Sequence, residues 1–252
     1  MSEHIKSLSK ALTVLEFLGQ YPSGVSLQKI SQETGFNKSS VHRILTTFEM
    51  SGYVAQLSAN KEYRLTMKLM HLGQAALNSD VIGIVRPYLT ELLESVNETV
   101  NFLSFDGDKI VFKDKLEPQN ASFRTRTYVG MYSPMYCSAA GKCSLAFRPE
   151  NARELYWQRN ESVMKPLTEN TILDKGQFFA VLDDIKQNGY ALDDEENEAG
   201  ISCVAVPILD KSGTPVYAIS VSALTPRVKA LGYEQLAEKI KAISAKIEQQ
   251  LF

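Results

Sequence analysis

The sequence is poor in the residues that most chemistry needs. Three cysteines, Cys137, Cys143 and Cys203, stand among 252 residues. So few, and an odd number, make no disulfide framework, which argues against a small stapled secreted domain. Histidine is as scarce: His4, His42 and His71 all fall in the first stretch of chain, and none follows. A cysteine nucleophile in the remainder would lack its usual histidine partner. Cys137 and Cys143 are six apart with no histidine nearby, unlike a zinc pair; no metal and no cofactor is expected. Neither a P-loop nor a G-x-G-x-x-G motif occurs. No apolar run approaches the roughly 18 residues of a membrane span, and the N-terminus lacks an apolar signal region. The expected location is a reducing cytoplasm, away from membranes. Together these absences disfavour an enzyme.

What is present suits two modest domains. Hydrophobic residues make up 44 % of the chain, enough for real cores. The net charge of −2 is unevenly spread. Residues 1–79 hold 8 Lys and Arg against 5 Asp and Glu, a net of +3, whereas the remainder is net −5. A basic head on an acidic body is compatible with nucleic-acid contact by the head alone.

The segment Ser26–Ser51 reads as two short helices around a tight turn. Asn37 is a favoured N-cap for the second. Val41, Ile44, Leu45 and Phe48 recur at helical spacing and mark a core face. Ser39, His42, Arg43 and Thr46 repeat the same spacing on the opposite side, with Lys38 at its start. That stripe carries donors and no carboxylate, which suits phosphates and base edges. Gly35 supplies the positive φ for the turn, and Gly52 suits a left-handed residue after the last turn. An ordinary amphipathic hairpin has the same pattern. Tyr53–Leu57 and Glu62–Leu65 are expected as strands around the polar turn Ser58–Lys61, making a wing. Lys61 at its tip and Arg64 beside it are expected to touch backbone phosphates or the minor groove. Leu8, Ala11, Leu12, Leu15 and Leu18 are expected to close a three-helix core. Met67–Asn78 is expected as a linker helix, contacting its surroundings through Leu69, Leu72, Ala76 and Leu77.

A new pattern begins near Asp80. A helix carrying Ile84, Val85, Tyr88, Leu89, Leu92, Leu93 and Val96 precedes strands expected at Thr99–Phe105, Lys109–Lys115 and about Ser122–Val129. Helices are expected over Ala140–Phe147, from Glu150, and over Asp174–Gln187. Strands at Tyr190–Asp193, Ser202–Leu209 and Pro215–Ala223 follow, then a helix holding Leu236, Ile240, Ile243, Ile247 and Leu251. The fold class is therefore α+β with an antiparallel sheet flanked by helices. The expected domains are 1–66, a winged helix-turn-helix; 67–79, a linker helix; and 80–252, the second domain.

Two segments of that domain invite a ligand. Pro134–Ser144 places the small residues Ser138, Ala139, Ala140 and Gly141 where a loop becomes a helix. Such a start can hold an anion, or the small residues simply allow tight packing. Leu192–Cys203 is a dense acidic loop, Asp193 being the carboxylate expected to point inward and most of Asp194, Glu195, Glu196 and Glu198 to be solvated.

The chain resembles the IclR family of bacterial transcriptional regulators over essentially its full length. The resemblance lies in Leu8–Leu12, Asn37–Leu45, Gly52–Val54, Tyr63–Leu65, Pro134–Lys142, and Asp193–Cys203 with Val204-Ala-Val-Pro207. It looks closest to repressors of sugar and sugar-acid catabolic operons. The resemblance implies a winged head, a GAF-like effector domain, and homodimers or homotetramers on palindromic double-stranded DNA operators. It also implies a small acidic effector, a carboxylate or sugar acid. The DNA-binding positions it implies are Lys38, Ser39, Ser40, His42 and Arg43, joined by Ser26, Thr46, Lys61 and Arg64 from the reading above. The effector positions are Ala140, Gly141, Asp193, Cys203, Ser220 and Ser222, with Cys137. Arg124, expected in the sheet just before the Pro134 segment, is added as a carboxylate partner. Two departures stand out: Lys10 where the family often has Arg, and Tyr136-Cys137 where His-Ala is frequent. The alternatives are a cysteine-based redox-sensing regulator and a small-molecule enzyme with an appended helical domain.

Overall fold

The computed structural model describes residues 5–76, 79–120 and 124–252. The chain divides into two compact units, Met1–Asn78 and Ser79–Phe252.

The first unit runs α1 (Lys6–Gly19), α2 (Leu27–Thr34), α3 (Lys38–Met50), β1 (Val54–Gln56), β2 (Tyr63–Leu65) and α4 (Lys68–Ala76). Local chemistry sets these boundaries. Ser26 caps α2 by accepting from Lys29 N at 3.3 Å, and Asn37 caps α3 by accepting from Ser40 N at 2.8 Å. Each bond satisfies an orphan N–H of a helix start. Gly35 ends α2 at φ 71°, a conformation that glycine adopts without a Cβ penalty. Val14, Leu18, Ile30, Val41, Leu45, Val54 and Tyr63 form the core. Antiparallel pairing of Val54–Gln56 with Tyr63–Leu65 makes the wing, with strands shorter than expected.

The core face of α1 differs from the expected stripe. Leu18 is buried as expected, but Leu8 and Leu12 are 54 % and 48 % exposed, and Val14, outside the expected stripe, is buried in their place. At 100° per residue, Leu12 lies about 160° round the helix from Val14, so the two cannot share a face. On α4, Leu72 is also exposed. The expected contact at Leu77 lies outside the described residues, and so does the side chain of Ala76.

The second unit runs α5 (Ser79–Val96), β3 (Thr99–Asp106), β4 (Lys109–Leu116), β5 (Tyr132–Pro134), α6 (Ala139–Ala146), α7 (Glu150–Asn160) and α8 (Lys175–Asn188). It continues through β6 (Ala191–Asp194), β7 (Ile201–Leu209), β8 (Pro215–Leu224), α9 (Thr225–Leu231) and α10 (Tyr233–Leu251). Six antiparallel strands form one sheet in the order β5-β4-β3-β8-β7-β6. Val100, Phe102, Val204, Val206, Ile219 and Val221 line one face and pack with α5 and α10. On the other face Ala191, Ala205 and Ala218 leave room for α6 to lie close, with α8 against α6. Alternating side chains thus give the sheet two cores.

The strand expected over about Ser122–Val129 is corrected in part. Residues 121–123 lie outside the described residues, and 124–129 are irregular. Lys115 Nζ donates to the carbonyls of Thr125 at 3.1 Å and Thr127 at 2.8 Å, which turns those carbonyls from ladder pairing. Pairing resumes after Gly130, whose φ is 89°, and the edge strand is Tyr132–Pro134 against Lys109–Val111. Helix α9 was not expected; a turn or two of helix is too short for a periodic signal.

Candidate DNA interface and effector site

Helix α3 presents Lys38, Ser39, His42, Arg43 and Thr46 to solvent, with Ser40 half-buried. Not all of these groups are equally free. Ser39 Oγ donates to Asn37 Oδ1 at 3.0 Å, and Thr46 Oγ1 donates to His42 O at 2.9 Å. Ser26 Oγ is engaged in capping α2. The cations are the uncommitted groups. Among the described residues no carboxylate forms an ion pair with Lys38, Arg43, Lys61 or Arg64. Lys61 takes φ 59° at the end of the wing turn, and it and Arg64 are exposed. Unpaired exposed cations on a donor-rich helix suit a polyanion.

A groove of about 550 Å³ runs between α1 and α3, lined among others by Lys6, Ser7, Lys10, Ser40, Arg43 and Thr47. Lys6 and Ser7 were missed by the periodicity reading, which treated α1 only as core. Lys10 Nζ lies 5.4 Å from the Phe36 ring centroid, a cation–π contact that steadies it beside the turn.

The effector candidates converge on the sheet face under α6. Asp193 of β6 pairs with Cys203 of β7, Cys203 with Ser222 of β8, and Ser222 with Thr99 of β3. Two residues along, Ala191, Ala205, Ser220 and Asn101 make the next row. The period of two puts both rows on one face. Cys203 Sγ donates to Ser222 Oγ at 3.0 Å, and Cys137 Sγ donates to Asn197 Oδ1 at 3.5 Å. Cys137 and Ala140 are buried at the start of α6.

One of the expected residues does not join them, and another has a packing role of its own. Arg124 lies off the sheet, exposed, 3.7 Å from Glu117. Gly141 has a structural reason to be glycine: a Cβ there would collide with the backbone of Met135. Ser138 completes this packing, accepting from Gly141 N at 3.2 Å and donating to Pro134 O at 2.8 Å. A substitution at Gly141 would therefore test folding rather than effector binding.

The charges of this region were legible only in part. Asp193 points inward as expected and is buried. Glu196, expected to be solvated, is buried as well, and its Oε1 accepts from the buried Lys142 Nζ. Lys142 was not singled out from the sequence and Glu196 was read with the solvated carboxylates, because the pair spans the gap between two segments read separately. Asp193 Oδ1 accepts from Glu196 N at 2.8 Å and Asn197 N at 3.2 Å, which folds the acidic loop inward. Arg126, from the irregular segment before β5, reaches Glu198 of that loop at 3.4 Å.

One buried cation thus faces two carboxylates. Burial pushes the Asp193 carboxyl up to about 7, Lys142 opposing the rise and Glu196 adding to it. Burial also raises Glu196, against the pull of Lys142. The stability consequence has a definite sign. Folded Asp193 holds its proton to higher pH than the unfolded chain, so stability falls as pH rises from about 4 to about 7. Asp193→Asn keeps the Oδ1 acceptor and cannot ionise. It is expected to remove Asp193's share of that decline, up to about 1.4 kcal/mol per pH unit. Thermal melts at pH 5 and pH 8 check this; an Asn variant with the wild-type pH dependence would remove Asp193 as its source.

The thiols are poor nucleophiles. Burial pushes Cys137 up to about 12 and raises Cys143 and Cys203 further. Protonated thiols, with Cys137 and Cys143 buried and Cys203 half-buried, resist oxidation, which argues against a cysteine-based sensor. No described helix is long and apolar enough to cross a membrane.

Residues 7–58 match the model of the IclR helix-turn-helix domain, and residues 73–249 that of the bacterial transcriptional regulator IclR C-terminal domain. The DNA-binding transcriptional repressor YiaJ of Escherichia coli is 40 % identical over 247 residues, 98 % of this chain and 88 % of that protein. The crystal structure of the Thermotoga maritima IclR is 31 % identical, with a TM-score of 0.79 over 98 % of this chain and 99 % of that one. An IclR homologue from Microbacterium hydrocarbonoxydans, solved with 4-hydroxybenzoate, shares the fold at 20 % identity. Its TM-score is 0.78 over 97 % of this chain and 98 % of that one. Two matched domain models, a winged head with an open cationic helix and a helix-covered antiparallel sheet have one account: the chain belongs to the IclR family of DNA-binding transcriptional regulators.

Proposed function

We propose that this regulator is a repressor of a catabolic operon, released by a small carboxylate or sugar acid. The observation that carries the DNA half is the exposed α3 face, whose cations have no carboxylate partner among the described residues. Lys38, Ser39, Ser40, His42 and Arg43 would meet the major groove, and Lys61 and Arg64 the flanking backbone. Ser26 and Thr46, already bonded within the head, would contribute through position more than through free donors. Two heads of a homodimer, or pairs of them in a tetramer, would meet half-sites about one DNA turn apart. The repressor sign is supported by YiaJ, which is named as one.

The effector would sit between the start of α6 and the sheet, against Cys137, Ala140, Asp193, Cys203, Ser220 and Ser222. An acid is favoured because the homologue from Microbacterium holds 4-hydroxybenzoate. Lys142 is also buried, and an incoming anion would compete with Glu196 for its ammonium. Control is linkage: an effector binding one arrangement of the paired units better shifts the population toward it.

Selection of bound sequences from random duplexes, followed by titration with sugar acids, keto acids and aromatic acids, tests this reading. The expected result is a palindromic consensus whose complex dissociates with one class of acid. The same acid should raise the melting temperature of the free protein, because ligand at 100 times its dissociation constant adds about 2.7 kcal/mol. Binding without sequence preference would overturn the regulator's proposed operator reading, and release by no acid its proposed effector.

A further inference from the structure

A buried asparagine on the effector face has no place in the account above. Asn101, on β3, is 1 % exposed. It is two residues from Thr99 and opposite Ser220, so it shares the face and the rows of the proposed site. Its Nδ2 donates to Ser220 Oγ at 3.2 Å and to Ser222 Oγ at 3.2 Å. Its Oδ1 is buried and has no hydrogen-bond partner.

The donor inventory of this trio is specific. Both amide hydrogens go to serine oxygens, and Ser222 Oγ accepts from Cys203 Sγ as well. Ser222 Oγ thereby has both acceptor positions used inward and Ser220 Oγ one, and the serines' own O–H hydrogens are left to point elsewhere. The opposite orientation of the amide would bury two N–H hydrogens at the place where Oδ1 now finds no partner, which is the costlier arrangement. The trio therefore offers two hydroxyl donors and one amide acceptor. Two donors suit a carboxylate, and a lone acceptor beside them suits a hydroxyl on the neighbouring carbon. Unpaired buried acceptors are rare in native proteins, and a ligand hydroxyl would satisfy this one.

We infer that Asn101 is a specificity residue of the effector pocket, and that with Ser220 and Ser222 it selects 2-hydroxy acids over their 2-deoxy counterparts. The inference rests on the effector-pocket reading and narrows the ligand to a class within it. Asp193 stands in the same row as Ser222, two strands away and about 10 Å across two strand spacings. A polyhydroxylated acid held at the trio by its carboxyl end would thus extend toward a second acceptor. A hydroxyl that the site is built to accept is read strongly, because the deoxy ligand leaves a buried group unpaired.

The test uses the full-length protein with D-gluconate, D-xylonate and D-threonate, each beside its 2-deoxy form, by calorimetry. In the wild type the hydroxylated member of at least one pair should bind at least about tenfold tighter. Asn101→Leu should erase that gap by weakening the hydroxylated acid alone. Asn101→Asp should weaken both members, since it brings a negative charge to the carboxylate. Unliganded melting temperatures establish that each variant is folded, and Asn101→Ala gives the same ratio should the leucine variant not fold. A role in packing alone would shift both members of a pair equally, which would overturn the inference. Equal wild-type affinities within every pair, or no aldonate binding, would overturn it too. If keto or aromatic acids still bind in that case, the pocket reading stands and only the hydroxyl selection falls. If no acid of any class binds, both fall together.

Discussion

Replacing Lys142 with methionine is expected to destabilise the second unit by about 3–5 kcal/mol, the usual cost of removing one partner of a buried ion pair. The substitution removes the cation and leaves Glu196 buried without it. Glu196 Oε2 already has no hydrogen-bond partner, and without Lys142 the carboxylate would keep none from a charged group. The variant should therefore bind a proton at Glu196 up to higher pH than the wild type. Its folded state then holds more protons than its unfolded state above the ordinary carboxylate range, so its deficit grows as pH rises. For a unit of this size the melting temperature should drop by roughly 10 °C at pH 8 and by less at pH 5. Adding Glu196→Leu should recover much of the loss, because an apolar pair of similar volume often replaces a buried ion pair at little cost. A small, pH-independent change in melting temperature for the single variant would show that the pair contributes nothing to folding.

The second large effect is expected at Arg43. Alanine there should weaken specific operator binding by about 1–3 kcal/mol, or roughly fivefold to over a hundredfold, if its guanidinium forks onto a base edge. The fold should be untouched, because the side chain is exposed and has no ion-pair partner among the described residues. Lysine in its place keeps the charge and loses the planar fork. It should thus retain nonspecific affinity while losing sequence preference. Fluorescence anisotropy against the operator and a scrambled duplex separates the cases. If alanine lowers both affinities equally, Arg43 is a phosphate contact; if it lowers neither, Arg43 lies outside the interface. Lys6 and Lys10 line the same groove as Arg43, which makes them the natural comparison for a purely backbone effect.

The two units were legible in the sequence to different degrees, for a physical reason visible in particular residues. In the head, Ser26, Gly35, Asn37 and Gly52 act within one turn of where they stand. Their capping and left-handed roles could be read directly. The core face of α1 could not. Leu8, Leu12 and Val14 are equally apolar, and only the helices packed beside them decide which side is buried. The alternation of β3, β7 and β8 was also readable, but the edge strand was misplaced. Lys115 draws the Thr125 and Thr127 carbonyls out of pairing, and nothing local announces that.

The effector site shows the division most sharply. Small residues before α6 and an acidic loop before β7 were visible as segments, and Asp193 was assigned inward from its place at a strand end. The pairing of Lys142 with Glu196, the exposure of Arg124 and the packing of Gly141 on Met135 were not. The sequence by itself determined the family, the winged head, the donor-rich helix α3 and the alternation of the sheet, because each is written in short-range periodicity, caps and motif spacing. Only the tertiary structure decided which charges are buried together and that Asn101 meets Ser220 and Ser222. Strand register and helix packing bring such groups together across 54 residues of chain for Lys142 and Glu196 and 119 for Asn101 and Ser220, and no local pattern records which partner a side chain will find.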